Sequence, residues 1–118
     1  MRDDFDKETK EVLARRVAYF CSNPNCRKPT TGPQTDPDKS INLGVAAHVT
    51  AASPGGARFD STLSREQRRS IDNGIWLCQS CAKLVDNDDQ RYTMDLLRRW
   101  RVQAEEVALL EQIGRAHV

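Results

Sequence analysis

Four cysteines in two short pairs constrain this chain more than any other feature. The pairs are Cys21-Ser-Asn-Pro-Asn-Cys26 and Cys78-Gln-Ser-Cys81. Zinc in a structural site takes four thiolate or imidazole ligands in a tetrahedron, and two short loops that each bring two ligands meet that demand at small conformational cost. The intervening segment, residues 27–77, is longer than in a simple zinc ribbon and leaves room for a functional insertion. Iron fits the same thiolates, because spacing alone does not separate the two metals. Four unrelated buried thiols would have to reach ligand spacing twice by chance.

Redox setting bears on the same point. The opening Met1-Arg-Asp-Asp-Phe-Asp6 is acidic and lacks the apolar stretch of a signal peptide. No apolar run approaches bilayer length, so no membrane is expected. A cytoplasmic location follows as the expectation, and reduced thiols there favour metal over disulfides. Of the 118 residues, 38% are hydrophobic and 30% charged, a thin core that a metal staple would help to fold as one domain over 1–118. A net charge of +1 gives no global basic field, so any nucleic-acid contact must be local. Arg58, Arg65, Arg68 and Arg69 face only Asp60 and Glu66 in their stretch, which reads as a phosphate-contacting patch or as a solvated helix face.

Periodicity predicts a helix over 6–20, with Val12, Leu13, Val17 and Phe20 at helical spacing. A tight turn at Asn23-Pro24-Asn25 follows, then a polar, proline-rich loop over 28–40 and a strand over 41–49. Residues 51–60 hold Ser-Pro-Gly-Gly and read as a loop. Ser64 is placed to cap a short helix that ends near Asp72. Asn73-Gly74 signals a turn before a strand over 75–77, and a short helix spans 79–85. Thr93 is placed to cap a last helix running to Ile113, with Leu97, Trp100, Ala104, Val107 and Leu110 as its apolar stripe and Gly114 as its stop. The terminal helices are expected to pack together. Trp76, beside the zinc, and Trp100 are expected core anchors, and His117 near the tail carries no expected role.

The order Cys-x4-Cys, His48, Asn73-x4-Cys-x2-Cys resembles the HNH endonucleases over roughly residues 21–86. The words Gly44-Val-Ala-Ala-His48-Val-Thr-Ala-Ala-Ser-Pro-Gly-Gly56 and Asn73-Gly-Ile-Trp-Leu-Cys-Gln-Ser-Cys-Ala-Lys83 resemble a branch that supplies nuclease domains to bacterial antiphage effectors. The resemblance implies an α+β fold: a ββα-metal core over about 21–90, a β-hairpin plus helix, stapled by a four-cysteine zinc site and flanked by helices at about 6–20 and 94–113. It implies metal-dependent hydrolysis of double-stranded DNA with little sequence preference. It also implies a homodimer and a sensor domain, fused or separate, that gates activity.

Carried over by residue, His48 becomes the general base, and an imidazole pKa of about 6.5 suits it near neutrality. Asn73 becomes the residue that holds the loop carrying His48. The acid that many relatives carry just before this histidine is Ala47 here, and the histidine after the fourth cysteine is Ala82. Asp86, one helical turn beyond Ala82, is the replacement ligand for a catalytic Mg²⁺ or Mn²⁺. Asp88 and Asp89 lie past the expected helix end. Arg58, Arg65 and Arg68 become phosphate contacts. Without the resemblance, His48 reads equally as a structural histidine, Asn73 as a turn residue and Asp86 as a solvated acid. Two other functions stay open: a non-catalytic zinc module that binds nucleic acid or protein, and an RNA-cutting nuclease.

Overall fold

The structure, a computed structural model, describes residues 3–116; His117 lies outside them. It is an α+β fold with two small antiparallel sheets. Helix α1 (Lys7–Arg16) starts where Asp6 accepts the Thr9 N–H at 2.8 Å, with Glu8 in the first turn and Arg15 and Arg16 in the last, charges that match the helix dipole. It stops short of the expected Phe20 because Ala18 and Tyr19 turn left-handed, with φ of 54° and 63°. That turn costs on the order of 1–2 kcal/mol per residue, and it sends Phe20 into a bridge with Pro29 at the entry to the first cysteine loop.

The expected loop over 28–40 is partly a hairpin. Strand β1 (Thr31–Pro33) pairs with β2 (Ser40–Asn42), Gly32 opposite Ile41, and the turn between them closes through Asp36, which accepts the Asp38 N–H. The strand expected over 41–49 is broken at Leu43, beyond which β3 (Gly44–His48) joins a different partner, β4 (Gly74–Cys78). A side chain at Gly44 would collide with the Trp76 indole across this pair, so only glycine admits the register. Ser64 caps α2 (Arg65–Arg69) in a full capping box with Gln67, and a 3₁₀ turn at Ile71–Asn73 leads into β4.

All five β4 residues are buried. Their alternation splits the core in two. Ile75 and Leu77 pack with Val49, Val85, Leu97, Trp100 and three of the cysteines, whereas Trp76 packs with Ala14, Val17 and Ala104. The tryptophan that shares a core with the thiols is therefore Trp100; the Trp76 ring lies in the other cluster, where its Nε1–H donates to Thr30 Oγ1 at 3.0 Å. Helix α3 (Gln79–Asn87) runs directly on from β4. Thr93 accepts the Leu96 N–H at the head of α4 (Met94–Ala116), which continues through Gly114. Of the expected stripe on α4, Leu97, Trp100 and Ala104 are buried, while Val107 and Leu110 are exposed. The flanking helices meet as expected: Arg16 grips Glu105 bidentately at 2.8 and 2.9 Å.

Candidate metal centre and the His48 site

The fold brings all four cysteines together. Their Sγ atoms lie within 4.8 Å of one another, and the Cys26–Cys78 pair is 3.9 Å apart. A tetrahedral zinc with bonds of about 2.3 Å requires sulfurs spaced by about 3.8 Å, so the cluster fits that ion. None of the four is in a disulfide. The first loop is shaped by Asn23, whose carbonyl accepts the Cys26 and Arg27 N–H groups and whose Oδ1 accepts that of Asn25. Ser22 N–H donates to Trp76 O at 3.0 Å, which fastens this loop to β4. The second pair straddles the β4–α3 junction, with Cys78 as the helix cap.

Burial pushes the Cys21 and Cys81 thiols up, so each is a poor thiolate by itself. Burial acts on Cys78 too, but the Cys81 N–H and neighbouring thiol contacts outweigh it and its shift is downward. Asn23 Nδ2 donates to Cys81 Sγ at 3.4 Å, a contact of the kind that supports a metal-bound thiolate.

His48 ends β3 opposite Gly74 and is 7% exposed. Its Nε2 lies 3.0 Å from the Asp3 carbonyl oxygen. A carbonyl only accepts, so Nε2 carries the proton. The Phe5 ring stacks on the imidazole with centroids 4.0 Å apart and planes 8° apart.

Asn73 sits one residue before the Gly74 that pairs with His48. Its backbone carbonyl accepts the Val49 N–H at 2.8 Å, Oδ1 accepts the Thr50 N–H and hydroxyl, and Nδ2 donates to Thr50 O and Arg68 O. The segment leaving His48 is thus held by Asn73 through both its backbone and its side chain. Arg101 of α4 adds a second clamp, donating to Ile71 O and Gly74 O at 2.6 and 3.1 Å.

The three expected phosphate-binding arginines occupy different settings. Arg58 has a side chain only 5% exposed, and it donates to Val49 O, Val85 O, Tyr92 O and Asp86 Oδ1. It is a tie inside the fold, its guanidinium engaged by protein groups rather than open to a phosphate. Arg65 and Arg68 lie on α2 and each bonds one oxygen of Asp3, at 2.9 and 2.8 Å. Arg68, with Arg65 beside it, holds the Asp3 carboxyl below the usual carboxylate range against the opposing effect of burial.

Asp86 is half-exposed and bonded to Arg58 at 2.7 Å. Through Arg58 it is linked to Val49, the residue after His48. Ala47 and Ala82 contribute to the apolar core around the thiols, so neither offers an oxygen ligand. Among the described residues, the four cysteines are the cluster of three or more potential ligands, and Asp86 is not part of it.

Sequence reasoning missed Asp3, Phe5 and Thr50. The signal for the first two was present in the acidic, aromatic Asp3-Asp-Phe-Asp6 run just ahead of α1, whose partners lie far along the chain. Among the described residues, no helix is long and apolar enough to cross a membrane. No protein-family model matches the sequence, and no curated protein matches it.

Proposed function

We propose that this chain is an HNH-type endonuclease domain that hydrolyses DNA phosphodiesters. In this reading β3, β4 and α3 form the ββα-metal unit, and the thiolate-bound ion is structural zinc. The observation that carries it is the Asn73 clasp on Thr50, two residues beyond His48: an asparagine buried to fix the chain that bears one imidazole. His48 draws a proton from water onto a ring nitrogen, and its fixed ring lowers the orientational cost of that step. Asp86 is the protein ligand of a hydrated Mg²⁺ or Mn²⁺, which when bound stabilises charge on the leaving oxygen. Arg65 and Arg68 bind backbone phosphate. Few side chains are available to read base edges, so cleavage has little sequence preference and binding weakens steeply with salt.

The resemblance extends the reading to a cytoplasmic antiphage effector, active as a homodimer and gated by a sensor domain. A nicking assay on supercoiled plasmid with Mg²⁺ or Mn²⁺ tests the core of it. Cleavage by the wild type and its loss in His48→Ala support it; a His48→Ala protein that cuts equally well sinks it. RNA offered beside DNA decides the substrate class.

A second reading is favoured by the burial of His48 and by the alanines at 47 and 82. In it the domain is a non-catalytic zinc module that binds nucleic acid or protein. DNA binding without cleavage, unchanged in His48→Ala and Asp86→Asn, selects that reading.

A further inference from the structure

We propose that the Asp3–Phe5 segment is a cis-acting occupant of the His48 site, its carboxylate standing on Arg65 and Arg68 where a nucleic-acid phosphate binds once the segment is displaced. The inference deepens the phosphodiester reading and rests on it.

Three groups of this short segment each take a different part of the site. The Asp3 carboxylate offers one oxygen to Arg65 Nε and the other to Arg68 Nε. The Asp3 carbonyl takes His48 Nε2, and the Phe5 ring covers the imidazole face. The carboxylate side chain is only 7% exposed, and Arg68 is 14% exposed and also lies 5.4 Å from the Phe59 ring centroid. Two guanidiniums that each meet one oxygen of a planar anion form the same fork that receives two non-bridging oxygens of a phosphate. Occupation has a chemical consequence. With Nε2 donating to a carbonyl, the lone pair of the neutral ring lies on Nδ1, and that atom is buried away from water in the strapped form.

The segment is held by ties of different kinds. Its backbone is fastened to the loop after β3 by a hydrogen bond from Asp3 N to Ala52 O at 3.1 Å. The anion adds a hold that an external anion can replace, and the Phe5 stack adds an apolar one. Because the occupant is tethered, its effective concentration is high and it suppresses an external phosphate by about tenfold or more.

The test uses the full zinc-loaded chain and a short fluorescent DNA duplex at low salt, read by anisotropy. Asp3→Asn is expected to bind the duplex about tenfold more tightly than wild type, and adding Arg68→Ala is expected to abolish that gain. An Asp3→Asn protein with native circular dichroism and full zinc content that binds no tighter overturns the proposal. If Asp3→Asn does not fold, the wild type decides the matter by NMR. Phe5 shields the His48 ring protons, and a saturating unlabelled duplex is expected to release that shielding. Shielding retained with duplex bound, or no duplex binding, overturns the proposal. Cleavage is scored separately: tighter binding by Asp3→Asn with no cutting keeps this inference and removes the hydrolytic one.

Discussion

Asn73 clasps Thr50 through both ends of its amide: Oδ1 accepts the Thr50 N–H at 3.0 Å and its hydroxyl at 2.9 Å, while Nδ2 returns a bond to Thr50 O at 3.0 Å. Both residues are buried, so each of these groups would otherwise face an apolar interior. Asn73→Ala strands several of them and is expected to cost about 2–4 kcal/mol, measured by urea unfolding. In a double-mutant cycle with Thr50→Val, a coupling of about 1 kcal/mol or more is expected; additive effects would mean the clasp is not an energetic unit.

Arg58 and Asp86 form an asymmetric pair, 5% and 56% exposed. Arg58→Ala removes the donor from three carbonyls as well as from the carboxylate and is expected to destabilise by about 3 kcal/mol. Asp86→Asn leaves those carbonyls satisfied and is expected to cost about 1 kcal/mol or less. If Asp86 is a metal ligand, Asp86→Asn abolishes cleavage despite that small stability cost. Thermal melts and the nicking assay on the same preparations separate the two effects.

A metal held by the thiol cluster is expected to make folding depend on it. One zinc per chain is expected by elemental analysis, and a strong chelator is expected to abolish the near-ultraviolet circular dichroism of Trp76 and Trp100. Cys21 is fully buried in the core, whereas Cys26 is the most open of the four. Cys21→Ser is therefore expected to be the more damaging change, and equal loss from both would point to the bound metal rather than packing as the sole contribution.

Glu105 joins the two terminal helices. Hydrogen bonding to Arg16, and then to Arg101, holds its carboxyl below its ordinary value of 4.5 despite partial burial. A carboxyl lowered in the folded state contributes stability in full above its unfolded value, and that contribution is lost as pH falls through the folded one. The wild type is expected to lose stability as pH drops below about 4.5, and Glu105→Gln is expected to flatten that loss. Urea midpoints across the acid range check it; an identical slope in both proteins would remove Glu105 from the account.

The sequence by itself determined the local and the covalent. Ligand spacing pointed to one metal cluster, Ser64 and Thr93 announced two helix starts, and Asn73-Gly74 marked the entry to β4, because caps, turns and chelating loops are written in a few neighbouring residues. It did not determine where α1 would stop, since Ala18 and Tyr19 carry no glycine to advertise a left-handed turn. Nor did it show that residues 31–42 form a hairpin of their own. Only the tertiary structure decided which arginine lies inside the fold and which carboxylate meets the others, because a charged side chain is assigned its partner by elements that are remote in the chain. Asp3 is paired with Arg65 and Arg68 across 62 and 65 residues, a contact made when α1, α2 and the β3–β4 pair close on one another.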